Sequence, residues 1–208
     1  MSYSGFLRFI GVLITVVFVV GFFLLFINSP GSFEKSDRLS IASYYLMGID
    51  RGNLAIYLCY HILGGLLVIF CMGFLSIRAK QIQVFIAKVL LLFSGIQWLS
   101  FGIFPDKEVG EDLFLLRVIV FNLTCFLSFL ILGVDFHSIS RNKIATYYTI
   151  ITAAGMLIIF LNGVFTLENR SFLFTNIHIS MYFAWFGFFG VLNFLRSDNL
   201  NLSYVNRC

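Results

Sequence analysis

Apolar residues run through this chain in six long blocks, separated by short polar stretches. The blocks cover Phe9–Ile27, Leu54–Ile77, Phe85–Phe104, Leu113–Val134, Tyr147–Leu167 and Phe174–Leu195. A helix crossing a bilayer needs about 20 mostly apolar residues. The pattern predicts an all-α integral membrane protein, a bundle of six transmembrane helices, with residues 1–208 forming one domain. Arg8 precedes the first block, as in a secretion signal. The apolar run is too long for a typical signal core and no A-x-A site follows it, so the block is expected to be retained as a helix. The one longer connection, Asn28 to Asn53, opens with the turn Asn28-Ser29-Pro30-Gly31. Ser36 and Asp37 then offer capping oxygens ahead of Leu39, Ile41, Tyr44, Tyr45, Leu46 and Met47. A short interfacial helix in this first outer loop is expected; an irregular loop with two interfacial tyrosines is the alternative.

Composition agrees with the pattern. Of 208 residues, 60% are hydrophobic and 12% charged, whereas a soluble domain carries about 25% charged residues. Charge sets the orientation. With the N-terminus in the cytoplasm, Arg8, Arg78, Lys80, Lys88, Arg141, Lys143, Arg196 and Arg207 fall inside, eight basic residues against six elsewhere. Of the acids only Asp135 and Asp198 fall inside. Both termini are therefore expected to be cytoplasmic, and the net charge of +4 reads as a topology signal. No basic cluster interleaves with exposed aromatics, so no nucleic-acid partner is expected. Cys59, Cys71 and Cys125 fall within blocks and Cys208 ends the chain, without a CxxC pair. They are expected to be free thiols acting as small apolar residues, with no metal site.

Within the blocks the strong polar side chains share one half of the bilayer. His61, Gln97, Arg117, Asn162, Asn176 and His178 all lie toward the outer side in this topology. Polar groups in hydrocarbon are costly and face a partner or a cavity. Helical spacing groups Tyr57 with His61, Ser94 with Gln97 and Phe101, Arg117 with Phe121, Thr124 and Ser128, and His178 with Tyr182 and Trp185. Asn122 is rotated away from Arg117 and is expected to pair with another helix. An outer-leaflet pocket lined by His61, Gln97, Arg117, Asn162 and His178 follows, with Asp106 and Arg170 at its mouth.

Several chemistries fit such a cluster. A guanidinium suits phosphate or carboxylate, so a lipid headgroup or small amphiphile is the leading ligand class, and membrane lipids are the expected partners. Polar groups that merely bond across helices are the rival, which makes the chain a structural or accessory subunit with a protein partner in the bilayer. His61 and His178 on two helices allow a haem alternative, although no cofactor is expected. No HExxH, GxSxG or histidine–carboxylate metal spacing occurs. An intramembrane enzyme or a transporter is therefore the weaker alternative. The inner halves of the blocks read as nearly free of strong polar groups.

Short motifs add a likeness. Gly102-Ile103-Phe104-Pro105 with Asp106 closes the third block. Leu39-Ser40-Ile41-Ala42-Ser43-Tyr44 precedes Gly48, and Glu168-Asn169-Arg170 precedes Trp185. In this order they resemble the six-span bacterial and archaeal membrane family called domain of unknown function 998. The resemblance covers about two thirds of the chain. It implies the six-span layout and a prokaryotic cytoplasmic membrane, but no activity. That family has a histidine early in its fourth span, where this chain reads Leu113-Phe114-Leu115-Leu116-Arg117. The resemblance sets Arg117 at the equivalent polar position.

Overall fold

The computed structural model describes residues 3–28, 54, 57–76, 81–103, 111–140, 143–165 and 179–189. They form six helices: α1 Tyr3–Asn28, α2 Tyr57–Ser76, α3 Ile82–Ile103, α4 Glu111–Ser140, α5 Lys143–Phe165 and α6 Ile179–Phe189. No strand occurs among the described residues. Gly5–Leu24, Tyr57–Ser76, Ile82–Ile103 and Leu116–Phe136 are long and apolar enough to cross a membrane. The apolar stretches Lys143–Ile158 of α5 and Ile179–Phe189 are shorter. The interfacial helix expected between residues 28 and 53 lies outside the described residues.

The helices follow the apolar blocks because a helix bonds its own backbone groups, the requirement for any segment in hydrocarbon. Several helices open earlier than their blocks, α1 at Tyr3 and α5 at Lys143 among them, and two further differences bear on the polar residues. α4 runs on to Ser140, past the end of its apolar block at Val134, so His137 is a helix residue. Nothing between Asp135 and Ser140 breaks a helix: the stretch holds neither Gly nor Pro. The second difference is in α2, which opens with a wide π-helical segment, Tyr57–Ile62, before regular turns from Leu63.

The five longer helices pack in chain order, each against the next. α6 lies in their midst and none of its residues is exposed. Phe183 stacks on Phe18 of α1 at 4.5 Å, and Phe186 meets Phe70 of α2 edge-on at 5.1 Å. Trp98 of α3 meets Phe183 at 4.9 Å, Phe129 of α4 meets Trp185 at 4.9 Å, and Tyr148 of α5 meets Phe188 at 4.5 Å. The core is thus an aromatic column built on α6. Outward, Phe9, Val16 and Phe23 of α1, Met72 of α2, Phe85 and Phe93 of α3 and Ile151 of α5 are exposed. That apolar perimeter suits lipid and not water.

α2 and α3 run antiparallel and approach closely. A methyl group on Gly64 would lie 2.7 Å from Leu99 Cα, and one on Gly102 would lie 2.8 Å from Tyr60 Cβ. Small residues that let backbones meet are the common device of helix packing in membranes.

Candidate functional site

The polar residues gather where α2 begins, α3 ends and α4 has its early turns. Ser94, Gln97 and Ser100 recur every three residues along α3, which keeps them on adjoining faces. Arg117, Phe121, Thr124 and Ser128 form the opposing stripe on α4. Arg117 Nη2 donates to Ser100 Oγ at 2.8 Å, and its guanidinium lies 4.7 Å from the centre of the Phe101 ring. Deeper along the same seam, Thr124 Oγ1 lies 3.3 Å from Gln97 Oε1 and 2.9 Å from the Phe121 carbonyl. The arginine is thus held between a hydroxyl and a π-face, an arrangement that fixes a planar cation.

His61 sits on another face of α3. Its ring stacks on Tyr57 at 5.2 Å. A methyl on Gly102 would lie 3.2 Å from His61 Cε1, so the ring rests against α3 at that glycine. At 100° per residue, positions 97 and 102 are about 140° apart around the helix. α3 therefore presents Gln97 and Ser100 to α4 and Gly102 to α2. His61 Nδ1 is buried and has no hydrogen-bond partner among the described residues. The wide turn around it is latched by Trp98, whose indole N–H donates to the Cys59 carbonyl at 2.8 Å. Such π-helical turns often occur at functional sites.

Gln97, Arg117 and His61 are the predicted site residues whose side chains are described. α3 connects all three, with Gln97 and Arg117 on its α4 side and His61 on its α2 side. Asn162 lies in α5, and its side chain falls outside the described ones. Asp106, Arg170, Asn176 and His178 lie outside the described residues altogether. Among the described residues no three His, Cys, Asp or Glu side chains group as metal ligands. Cys59, Cys71 and Cys125 are free and buried, as expected of small apolar thiols.

Three features escaped the sequence reading. Ser100, the anchor of Arg117, was legible only as the third member of the three-residue spacing. Among the described residues Asn122 makes no hydrogen bond to another helix: its Nδ2 donates to the Val118 carbonyl of its own helix at 2.8 Å. An amide four residues beyond a carbonyl can satisfy itself locally. The third is Lys88, expected among the cytoplasmic charges that set topology. It is only 3% exposed. Its ammonium lies 4.6 Å from the centre of the Phe74 ring and interacts electrostatically with Asp135 of α4. The end of the bundle remote from Arg117 is therefore not free of strong polar groups.

Comparison with protein-family models, with curated proteins and with solved structures returned no match.

Proposed function

We propose that the chain is a six-span protein of a bacterial cytoplasmic membrane, both termini cytoplasmic, akin to the family domain of unknown function 998. In this reading it binds an anionic lipid headgroup, or a small amphiphile with such a head, at Arg117 in the outer leaflet. The observation that carries the reading is the held guanidinium: a permanent cation in an apolar helix, bonded to Ser100 and laid on Phe101. A cation fixed in that way has little freedom left to lose when a phosphate or carboxylate arrives. Gln97 and Thr124 supply further polar positions on the Arg117 side of α3, and the buried Nδ1 of His61 lies across α3 from them. Asp106, Asn162, Arg170 and His178 complete the proposed pocket.

The test is native mass spectrometry of the full chain from phosphatidylglycerol-containing vesicles. Wild-type protein retains the anionic lipid and Arg117→Ala loses it. Arg117→Lys, which keeps charge but not the planar fork, falls between. Equal retention by all three ends the proposal.

A second reading has its own support. Thr124 spans to Gln97 and Arg117 to Ser100, so these groups also tie α3 to α4. A structural or accessory subunit needs no more than that. It predicts that Arg117→Ala lowers thermal stability or the recovery of a protein partner, with no retained lipid to lose.

A further inference from the structure

The start of α2 packs against the end of α3 around one histidine. Among the described residues, His61 Nδ1 is enclosed and meets no hydrogen-bond partner. It lies against Gly102, where a methyl would fall 3.2 Å from Cε1 and 3.3 Å from Nδ1. Tyr57, 52% exposed, stacks on the ring. The ring as a whole is half-buried, and Nε2 is not enclosed as Nδ1 is. The wide turn Tyr57–Ile62, latched by Trp98 on the Cys59 carbonyl, sets this direction.

A neutral imidazole carries one N–H, on either nitrogen. On Nδ1 it would be a buried donor beside a glycine, with nothing to receive it, and an unpaired buried donor is costly. On Nε2 it faces the open side, and the bare Nδ1 keeps the Gly102 Cα–H as a weak but favourable neighbour. Packing therefore selects the Nε2–H form. His61 is a donor held in one direction, with no acceptor among the described residues.

The surface below it is an apolar groove. His61, Gly65, Val68 and Met72 follow one another at helical spacing on the perimeter of α2. The row has a gap at Gly65, where a methyl would meet nothing within 4 Å. On α3, Ile103 follows Gly102 and Ile96 lies two turns along the same face, both exposed. The level also matters. Gly102 is in the last turn of α3, which ends at Ile103 with Pro105 just beyond. An apolar helix leaves the hydrocarbon at such a level, and an exposed tyrosine belongs there. In a phospholipid bilayer this layer holds the glycerol ester carbonyls, which accept hydrogen bonds and donate none.

We propose that His61 donates from Nε2 to the ester carbonyl of a phospholipid in the leaflet around the start of α2, with one acyl chain laid along the gap at Gly65. The site reads the linkage, ester over ether, and not the headgroup. It rests on the membrane-spanning reading and is separate from Arg117, on the other side of α3.

The probe is a pair of phosphatidylcholines with the same headgroup and chains, one ester-linked and one ether-linked. The full chain is reconstituted in an equal mixture, and retained lipid is counted by native mass spectrometry. Wild-type protein should retain the ester lipid about two- to tenfold over the ether lipid, the factor one neutral hydrogen bond supplies. His61→Phe keeps a ring against Tyr57 but has no donor, and should bring the ratio to one. Gly65→Leu fills the gap and should lower the ratio as well. In His137→Gln, His178→Gln protein His61 is the only histidine. Nitrogen NMR of that protein, isotope-labelled at histidine and in alkaline buffer, should show a bare Nδ1 and a protonated Nε2 whose resonance shifts between ester and ether bilayers. A protonated Nδ1 overturns the proposal. So does an Nε2 resonance indifferent to linkage, the result an acceptor within the chain would give. A wild-type ratio of one, or a ratio unchanged by His61→Phe or Gly65→Leu, overturns it too. If His61→Phe fails to fold, the NMR decides. Arg117→Ala should leave the ratio unaltered, because the two lipids share a headgroup. Loss of the ratio in Arg117→Ala would place the preference at that site and overturn this one, whereas failure of anionic-lipid binding at Arg117 leaves the ester preference standing.

Discussion

Two adjacent glycines in α2 offer a test of the packing with an internal control. Gly64→Ala places a methyl 2.7 Å from Leu99 Cα and 3.0 Å from Leu99 N, both backbone atoms that no rotamer change can move. Gly65→Ala meets nothing within 4 Å. To restore even the 3.4 Å edge of ordinary contact, α2 and α3 must separate by about 0.7 Å along that line. A gap of that size forfeits roughly a quarter to a half of the dispersion attraction at each neighbouring contact. Overpacking of this kind costs about 1–3 kcal/mol. Both substitutions gain the same intrinsic helix preference of alanine over glycine, at most about 1 kcal/mol, so their difference isolates the steric cost. The assay is reversible unfolding in mixed micelles, followed by the fluorescence of the buried Trp98 and Trp185. Gly65→Ala should match or exceed wild-type stability, and Gly64→Ala should fall below it by about 1–3 kcal/mol. Equal effects at the two positions would refute the close approach of α2 and α3.

Other substitutions probe the remaining contacts. Trp185→Phe removes the bond from its indole N–H to Thr149 Oγ1 at 2.9 Å, and should cost about 1 kcal/mol in the same assay, with Thr149→Val costing no more in the Trp185→Phe background. Lys88→Met leaves the Asp135 carboxylate beside an apolar group and should destabilise by about 3–5 kcal/mol, whereas Lys88→Met with Asp135→Leu should recover most of that loss in a thermal-shift measurement. Maleimide should fail to label Cys59, Cys71 and Cys125 in folded Cys208→Ser protein and should label all three after denaturation, as mass spectrometry would count.

Hydropathy made the helices legible, because a 20-residue apolar run has few other ways to satisfy its backbone. The facing stripe Arg117, Phe121, Thr124 and Ser128 was legible for the same kind of reason: spacings of four and three fix one helix face. Ser128 completes it by donating to the Ala87 carbonyl of α3 at 2.8 Å. Partner identity was not legible. Helical spacing gives the direction of His61 relative to Tyr57, but not that α3 would stand between its ring and Arg117. The burial of Lys88 was not legible, because near a span end a long side chain can snorkel to water. The turn it occupies faces Phe74 and Asp135, so burial followed from the neighbours of α3 and not from depth alone. Asn122 shows the converse, a buried amide with a sufficient acceptor on its own helix.

The placing of α6 also turns on polar groups. Lipid tails are as apolar as Phe or Leu, so hydrophobicity alone cannot draw a helix out of lipid and into the centre of a bundle. What favours the centre is shape and a few directional bonds. Three hydroxyls from three helices meet α6: Thr15 of α1 donates to the Phe183 carbonyl at 2.8 Å, Ser94 of α3 lies 3.1 Å from Tyr182 Oη, and Thr149 of α5 accepts from Trp185. Tyr182 and Trp185 share one face of α6 and the Phe183 carbonyl is bonded from another, so together these contacts fix its rotation as well as its depth. A turn of the helix about its axis would put the Tyr182 hydroxyl and the Trp185 N–H against apolar rings, at a cost no aromatic contact returns. The aromatic column supplies the packing, and the three hydroxyls select which face each ring adopts. Small apolar replacements at Thr15, Ser94 and Thr149 therefore act on the uniqueness of the arrangement more than on the area it buries.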